Sequence, residues 1–189
     1  QSGSSKGLWR IESFTGGDLV ITEGEMDTLA YEQAGIFAVS APNGAPSSAP
    51  NKKANNTVKY NYLFESREEL LSANRIIIAT DSDKPGQYLA EEIARRVGMG
   101  KCWRVQYPAG CKDANDVLIE HGPDELRKTL RKATPWPVSG IRDASEFRDK
   151  ALDLYVNGMD RGTKVGIPDL DDIYTATPGS LTLFTGIPG

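Results

Sequence analysis

The fold is decided by the stretch Arg75-Ile-Ile-Ile-Ala-Thr-Asp-Ser-Asp83, in which an unbroken apolar run ends in two aspartates. Three consecutive isoleucines followed by a polar break with Pro85 and Gly86 are typical of a strand that is buried on both faces and ends abruptly. Open α/β sheets bind their ligands at the carboxyl ends of such strands. The sequence therefore predicts a functional crevice at Asp81 and Asp83.

Two carboxylates this close repel one another unless a cation lies between them, so the pair predicts a divalent metal site, with Mg²⁺ as the ion that suits few carboxylates plus a phosphate. A second predicted strand, 18–22, runs directly into Glu23. If the two strands are neighbours, Glu23 faces Asp81 and Asp83. It then serves either as a general base, with its pKa raised by the neighbouring acids, or as a further ligand. A metal held there can activate a hydroxyl and stabilise charge on a phosphoryl group.

Residues 112–116, Lys-Asp-Ala-Asn-Asp, follow the fourth predicted strand. Asp113 is therefore expected to join the acidic crevice, and Lys112 to contact a phosphate. A structural alternative stays open, because Asp113, Asp116 and Asp27 are also placed to cap helices. In the long loop, Lys52 and Lys53 either contact a nucleic-acid backbone or are simply solvated.

Composition narrows the classes of function. The chain has 189 residues and a formal net charge of −4, which disfavours a large basic surface and leaves room for local nucleic-acid contacts only. Two cysteines and one histidine make neither a disulfide framework nor a zinc site, and leave Ser-His-Asp and Cys-His catalysis almost no residues to use. No apolar stretch is long enough to span a membrane and no signal peptide is visible, so we expect an intracellular protein.

Strands alternate with helices through the first two thirds of the chain, which predicts an α/β fold with a mainly parallel four-stranded sheet and right-handed crossovers. A loop from Ala41 to Pro50 is too long for a simple connector and is expected to be functional. The predicted strands are 18–22, 36–40, 75–80 and 101–107, and the predicted helices are 24–34, 58–72, 85–97, 115–121 and 123–133.

The last third is organised differently. The α/β domain is expected to end near Pro135-Trp-Pro137, where a helix cannot continue. Residues 144–157 form a predicted amphipathic helix, which is too short to be stable alone and needs a surface to pack on. Residues 179–189 are a predicted strand running into a glycine-rich turn. With Gly186 and Gly189 they match the first half of a phosphate-binding P-loop.

Several motifs together resemble a known family. Glu23-Gly24 with Asp27 after one strand, and Asp81-Ser-Asp83 after another, resemble the TOPRIM domain of primases, topoisomerases and some nucleases. Over nearly the whole chain the similarity is narrower. The segments Val20–Asp27, Ser40–Gly44, Asp81–Asp83 and Cys111–Asp116 resemble the primase–helicases of phages and the Twinkle-type replicative helicases.

The resemblance implies a Rossmann-like TOPRIM domain over 1–134, a linker with its helix over 135–163, and the start of a RecA-like helicase core over 164–189. It implies Mg²⁺- or Mn²⁺-dependent nucleotidyl transfer, namely RNA primer synthesis on single-stranded DNA from NTPs. In the full-length protein this activity would be coupled to ATP- or NTP-driven DNA unwinding. The linker helix would assemble subunits into a ring, a hexamer, and the protein would act in the cytoplasm of a bacterial or phage-infected cell.

Carried over to this chain, the resemblance makes Glu23 the acid/base, Asp81 and Asp83 the metal ligands, and Asp113 a further member of the acidic cluster. Gly24 would allow a tight turn beside Glu23. A working primase also needs a basic subdomain and usually a zinc-binding module. Neither is visible here, so we expect this part of the protein to be inactive alone.

Three alternatives differ in class. A catalytically silent TOPRIM module would serve DNA binding or ring assembly of a helicase. A TOPRIM nuclease would share the metal site and differ in substrate. A haloacid-dehalogenase-like phosphatase would use Asp81 as nucleophile, but that motif usually follows the first strand and continues with Gly-Thr, whereas Lys84-Pro85 follows here.

Overall fold

The computed structural model describes residues 7–48, 58–138, 140, 144–158, 162–183 and 185–187. Three positions with predicted roles, Lys52, Lys53 and Gly189, lie outside these ranges. The chain divides into two units, Gln1–Ser139 and Gly140–Gly189. The finer division into residues 1–134, 135–163 and 164–189 stays a prediction.

The first unit is built on a five-stranded sheet with the order β2-β1-β3-β4-β5. The first four strands are mutually parallel as predicted, and β5, which is antiparallel, was not predicted. Its pairing is held by the N–H of Trp136, which donates to the carbonyl of Cys102 at 2.8 Å while the indole packs into the core. The strands are β1 (Leu19–Thr22), β2 (Ala38–Ser40), β3 (Ile76–Ala79), β4 (Cys102–Arg104) and β5 (Thr134–Pro135).

In the described part of this unit, five helices cover the sheet: α1 (Glu25–Gln33), α2 (Asn61–Glu65), α3 (Arg67–Ser72), α4 (Lys84–Val97) and α5 (Ala114–Arg131). The predicted pair of short helices after β4 is continuous in α5 except for a break at Gly122, where φ is +80°. The single helix predicted over 58–72 is wrong, because it divides into a 3₁₀ turn, α2 and α3. At the division the Ser66 hydroxyl accepts a hydrogen bond from the N–H of Leu8 at 2.9 Å, a contact from a distant segment.

Alternate residues of the central strands enter two separate apolar layers. Ile76 and Ile78 of β3 pack in the layer beneath α2, α3 and α4. Ile77, between them, packs in the layer beneath α1 and α5. Burial of one such side chain contributes about 1.5–3 kcal/mol, so the isoleucine run stabilises both faces of the sheet. This two-sided burial fixes the end of β3, and with it the position of Asp81.

In the second unit, the helix predicted over 144–157 is present as a 3₁₀ turn (Ala144–Phe147) followed by α6 (Arg148–Asn157). A short helix α7 (Pro168–Asp171) and an antiparallel bridge between Thr163 and Ala176 follow. The larger apolar side chains of α6 are exposed: Leu152, Leu154, Tyr155 and Val156. Among the described residues, no helix is long and apolar enough to cross a membrane.

Candidate metal and nucleotide site

The predicted acidic residues meet at one edge of the sheet because β1 and β3 are neighbours in register. Thr22 at the end of β1 lies opposite Ala79 at the end of β3. The chain therefore leaves both strands at the same edge, and Glu23 follows one strand while Asp81 follows the other. The predicted adjacency of the two strands is confirmed.

Glu23 is held by the turn after β1 and by the long loop. The Thr22 hydroxyl anchors the turn, lying 2.7 Å from the Thr28 hydroxyl and donating to the Gly24 carbonyl at 3.0 Å. One oxygen of Glu23, Oε1, accepts a hydrogen bond from the N–H of Ala45 at 3.3 Å. The other oxygen, Oε2, is buried and has no hydrogen-bond partner among the described residues.

The surroundings of Glu23 oppose its ionisation. Burial raises the pKa of the Glu23 carboxyl above its usual value, and the charge of Asp81 raises it further. The N–H of Ala45 acts in the opposite direction, and Asp83 adds a weaker upward effect. Glu23 is therefore suited to hold or accept a proton nearer neutral pH than a solvated glutamate would.

A lysine ammonium lies between the paired aspartates. Lys112 Nζ is 2.7 Å from Asp81 Oδ2 and 3.4 Å from Asp83 Oδ2. This contact raises the pKa of Lys112, with Asp81 as the main cause. The sequence predicted a phosphate contact for Lys112, and in the structure this side chain supplies the positive charge that the two carboxylates require.

Asp83 and Asp113 also have structural roles. Asp83 is the N-cap of α4 and accepts a hydrogen bond from the N–H of Gly86 at 2.9 Å. Asp113 is the N-cap of α5 and accepts from the N–H of Asp116 at 2.8 Å. Capping occupies Oδ1 of each side chain. In Asp83 the second oxygen, Oδ2, faces Lys112.

Asp27 belongs to this cluster, although the sequence left it as a motif residue with a possible capping role. Its side chain is buried, with 9% of the residue exposed, and it accepts a hydrogen bond from the N–H of Asn115 at 3.3 Å. Burial, followed by the charge of Asp113 and more weakly that of Asp81, raises the pKa of Asp27 to about 6. The signal in the sequence is the place of Asp27 in the first turn of α1, which begins directly after Glu23 and Gly24.

The glycine that this edge requires is Gly86, not Gly24. Gly24 is the N-cap of α1 with φ −132°, an extended conformation open to any residue, and a Cβ there would meet only Asp27 Oδ2 at 3.8 Å. The predicted need for a tight glycine turn at that position is therefore wrong. At Gly86 a Cβ would lie 2.3 Å from the carbonyl oxygen of Asp81, so only glycine fits against the loop that carries the aspartates.

The donor set fits a hard divalent cation. The candidate ligands all offer carboxylate oxygens, which Mg²⁺ and Mn²⁺ prefer, and one of these oxygens, Glu23 Oε2, is buried without a partner. Among the described residues these carboxylates do not form a set of three with oxygens within 4.8 Å of one another. Mg²⁺ usually keeps several waters and binds through one or two carboxylates, so it does not need such a set.

A polar cavity of about 320 Å³ opens beside Asp81 at the ends of β3 and β4. Its size and polar lining suit a nucleotide phosphate or sugar better than an apolar ligand. Arg104 is the basic group on its wall, and the other polar lining residues are Thr80, Ser82, Gln87, Gln106 and Tyr107.

Comparison with known proteins matches this geometry to a family. Residues 20–118, which run from the second residue of β1 past β4 and include the acidic edge, match the family model described as Toprim-like. The Twinkle homolog protein, chloroplastic/mitochondrial, of Arabidopsis thaliana is 42% identical over 183 residues, which cover 90% of this chain and 26% of that protein. The primase homolog protein of Arabidopsis thaliana is 43% identical over 130 residues, which cover 64% of this chain and 39% of that protein.

The fold is also similar to a chain in a solved bacteriophage T7 complex. That structure contains the lagging-strand DNA polymerase interacting with primase domains of two gp4 subunits bound to an RNA/DNA hybrid and dTTP. The TM-score is 0.57 at 27% identity, over 71% of this chain and 65% of that one. The chain spans only about a quarter to two fifths of the length of the two curated relatives.

Proposed function

Because this chain belongs to the Toprim-like family and is homologous to Twinkle-type and phage primase–helicases, we propose that its acidic edge binds Mg²⁺ or Mn²⁺ and supports nucleotidyl transfer. In the full-length protein the reaction is RNA primer synthesis, in which an NTP joins a primer 3′-hydroxyl and pyrophosphate leaves. The proposed metal ligands are Asp81, Asp83 and Asp113, with Glu23 as ligand or general base.

The observation that carries the proposal is the position of the Lys112 ammonium, 2.7 Å from Asp81 and 3.4 Å from Asp83. This contact supports the proposal because the carboxylate pair already has a positive charge between its oxygens. The lysine side chain is half exposed on a flexible four-carbon stem, so it can move away when a divalent ion takes that position. Once displaced, the Lys112 ammonium would be free to contact a phosphate of the incoming nucleotide.

Each residue then has a distinct task. Asp83 and Asp113, each held by a capping bond at Oδ1, would hold the metal through their second oxygens. Glu23, whose pKa is raised, accepts the proton of the attacking hydroxyl. Lys112, and Arg104 on the wall of the cavity, orient the phosphates. The bound metal supplies Lewis-acid stabilisation of charge on the transferring phosphoryl group.

Three wider parts of the proposal concern the whole protein. Gly186 and Gly189 begin a P-loop of a helicase core that binds ATP or another NTP and drives unwinding. Single-stranded DNA is the template. The exposed apolar side chains of α6 pack on a neighbouring subunit in a ring, which is supported by their exposure within their own unit. We further propose the cytoplasm of a bacterial or phage-infected cell as the compartment.

Calorimetric titration of this chain with Mg²⁺ and Mn²⁺ tests the metal site. We expect Asp81→Asn and Asp83→Asn to weaken metal binding at least about tenfold. Loss of a metal ligand should lower the affinity at least as much as loss of a residue that hydrogen-bonds to a ligand. Asn retains the N-cap of α4, so a loss in Asp83→Asn is not a loss of the helix. Asp124→Asn, on the surface of α5 beside Arg127, is the matched control. Unchanged binding in both site variants would refute the proposal.

A second candidate function is favoured by the same lysine. If Lys112 permanently replaces the metal, the domain is a silent module for DNA binding or ring assembly. Primer synthesis by the full-length protein separates the two, because loss of synthesis in Asp83→Asn excludes the silent module. Cleavage of DNA in place of primer synthesis would instead favour a TOPRIM nuclease.

A further inference from the structure

A second group of metal-binding side chains lies apart from the acidic edge, at the kink of α5. Cys111 Sγ is 3.7 Å from Glu120 Oε2, and His121 Nε2 is 3.9 Å from the same oxygen. The three ligand atoms all lie within 4.8 Å of one another. Among the described residues this is the one group of three or more His, Cys, Asp and Glu side chains gathered so closely.

The fold brings these residues together across a sequence separation of nine and ten. A turn in which the N–H of Cys111 donates to the Pro108 carbonyl at 3.1 Å places the cysteine beside the first half of α5. Its side chain packs with Val117 in the apolar layer, and only 6% of the residue is exposed. At the other end, the left-handed backbone of Gly122 interrupts the helix directly after His121, where φ is +80°.

We propose that Cys111, Glu120 and His121 form a binding site for one zinc-type divalent cation. A thiolate, an imidazole and one carboxylate are a ligand set for Zn²⁺ or Co²⁺, whereas Mg²⁺ takes oxygen ligands. Tetrahedral zinc with bonds of about 2.0–2.3 Å needs ligand atoms about 3.3–3.6 Å apart. The two distances to Glu120, 3.7 and 3.9 Å, are within a few tenths of an ångström of this spacing, and the third pair lies within 4.8 Å.

The surroundings permit this adjustment and leave an entry path. The Glu120 and His121 side chains are 53% and 41% exposed, so both can move toward the buried sulfur. Solvent reaches the same side, so water completes the fourth position. When the sulfur binds the metal, the thiol proton passes to solvent.

The site would tie the loop before α5 to the middle of that helix. The tied loop carries Lys112, which contacts Asp81, and Asp113, which caps α5, so occupancy would restrict two of the residues proposed for the candidate reaction. The cation binds on the side of α5 that holds Glu120, and it does not replace the ion proposed between Asp81 and Asp83.

The test is a Co²⁺ titration of the metal-free, reduced chain, monitored by absorption. Sulfur ligation produces a thiolate-to-cobalt charge-transfer band that binding to carboxylates alone does not produce. We expect the band in the native chain, its displacement by Zn²⁺, and no displacement by Mg²⁺. Displacement by Mg²⁺, or absence of the band, would overturn the proposal.

The two cysteines provide a matched pair of variants. Cys111→Ser should abolish the band, whereas Cys102→Ser, at the buried end of β4, should retain it. His121→Gln should weaken Co²⁺ affinity at least about tenfold. Asp81→Asn should retain the band, which separates this site from the acidic edge. A band that survives Cys111→Ser, or that is lost equally in Cys102→Ser, would contradict the assignment.

Discussion

The substitution Asp27→Asn should stabilise the protein at neutral pH, because Asp27 is a buried acid in a negatively charged cluster. Its pKa is raised from 3.8 to about 6 by burial and by the charge of Asp113. Asparagine has nearly the same shape as the protonated acid and still offers an oxygen to the N–H of Asn115. The variant therefore removes the cost of ionisation and leaves the packing and the hydrogen bond in place.

Proton linkage gives the direction in which the stability of the protein changes with pH. Since the folded-state pKa is the higher one, the folded protein binds the proton more tightly than the unfolded chain does. Protonated Asp27 therefore stabilises the folded state, and this stabilisation is fully present below about pH 3.8 and is lost as the pH rises through about 6. At about 1.4 kcal/mol per pKa unit, the raised pKa corresponds to at most about 3 kcal/mol at pH 8.

Urea unfolding followed by tryptophan fluorescence, in chelator at pH 4.5 and pH 8, measures this effect. At pH 8 the free energy of unfolding of Asp27→Asn should be about 1.5–3 kcal/mol higher than that of the native chain. Most of this difference should vanish at pH 4.5. The exposed control Asp124→Asn should stay within about 0.5 kcal/mol of the native chain at both pH values. An equal loss of stability at both pH values would show that Asp27 acts through packing and would refute the electrostatic argument.

Three further substitutions test particular contacts. Lys112→Met removes the competing ammonium and should tighten Mn²⁺ binding, measured by calorimetry, up to about fivefold, because exposed ion pairs contribute about 0.2–1 kcal/mol. Weaker binding would show that Lys112 does not compete with the metal. Gly86→Ala places a Cβ 2.3 Å from the Asp81 carbonyl oxygen and should lower the free energy of unfolding in urea by about 3 kcal/mol. A Cβ at Gly100 meets nothing within 4 Å, so Gly100→Ala should leave the stability nearly unchanged. Leu126→Ala in the core should lower the free energy of unfolding by about 2–5 kcal/mol, whereas Ile119→Ala, at an exposed position of the same helix, should lower it much less. Equal losses would contradict the assigned burial.

The parts of the fold that the sequence predicts are those fixed by local patterns. The isoleucine run identifies β3 because its burial on both faces needs no knowledge of its partners. Parallel pairing with β1 then follows from the alternation of strands and helices, and it brings Glu23 to the same edge as Asp81.

The parts that it misses depend on contacts between distant segments. Thr134 and Pro135 have no strand pattern, and they pair with β4 only because Trp136 packs into the core. The break at Ser66 is set by the N–H of Leu8, which lies 58 residues away. The sequence does not identify Asp27 as a member of the acidic cluster for the same reason, because its burial and raised pKa depend on residues at the start of α5.

Counting residue types gives no signal for the grouping of Cys111, Glu120 and His121. One histidine and two cysteines are too few for a zinc framework by number, and that count excluded a metal centre of this kind. The turn at Pro108 and the kink at Gly122 nevertheless bring Cys111 within reach of its two partners. Spatial grouping, which depends on backbone geometry, cannot be recovered from composition.

The charge balance at the acidic edge distinguishes a metal-binding domain from a silent one. With the Lys112 ammonium in contact with Asp81 and Asp83, the pKa values of Glu23 and Asp27 are still raised, mainly by burial and in part by the charges of Asp81 and Asp113. A divalent ion would relieve the part of this rise that comes from charge, so Mg²⁺ should lower the pKa of Asp27 and release a proton near pH 6. Proton release measured on adding Mg²⁺ to the native chain, and its absence in Asp27→Asn, would support metal binding. A native chain that releases no proton would favour the silent module, in which Lys112 is the only cation that this edge holds.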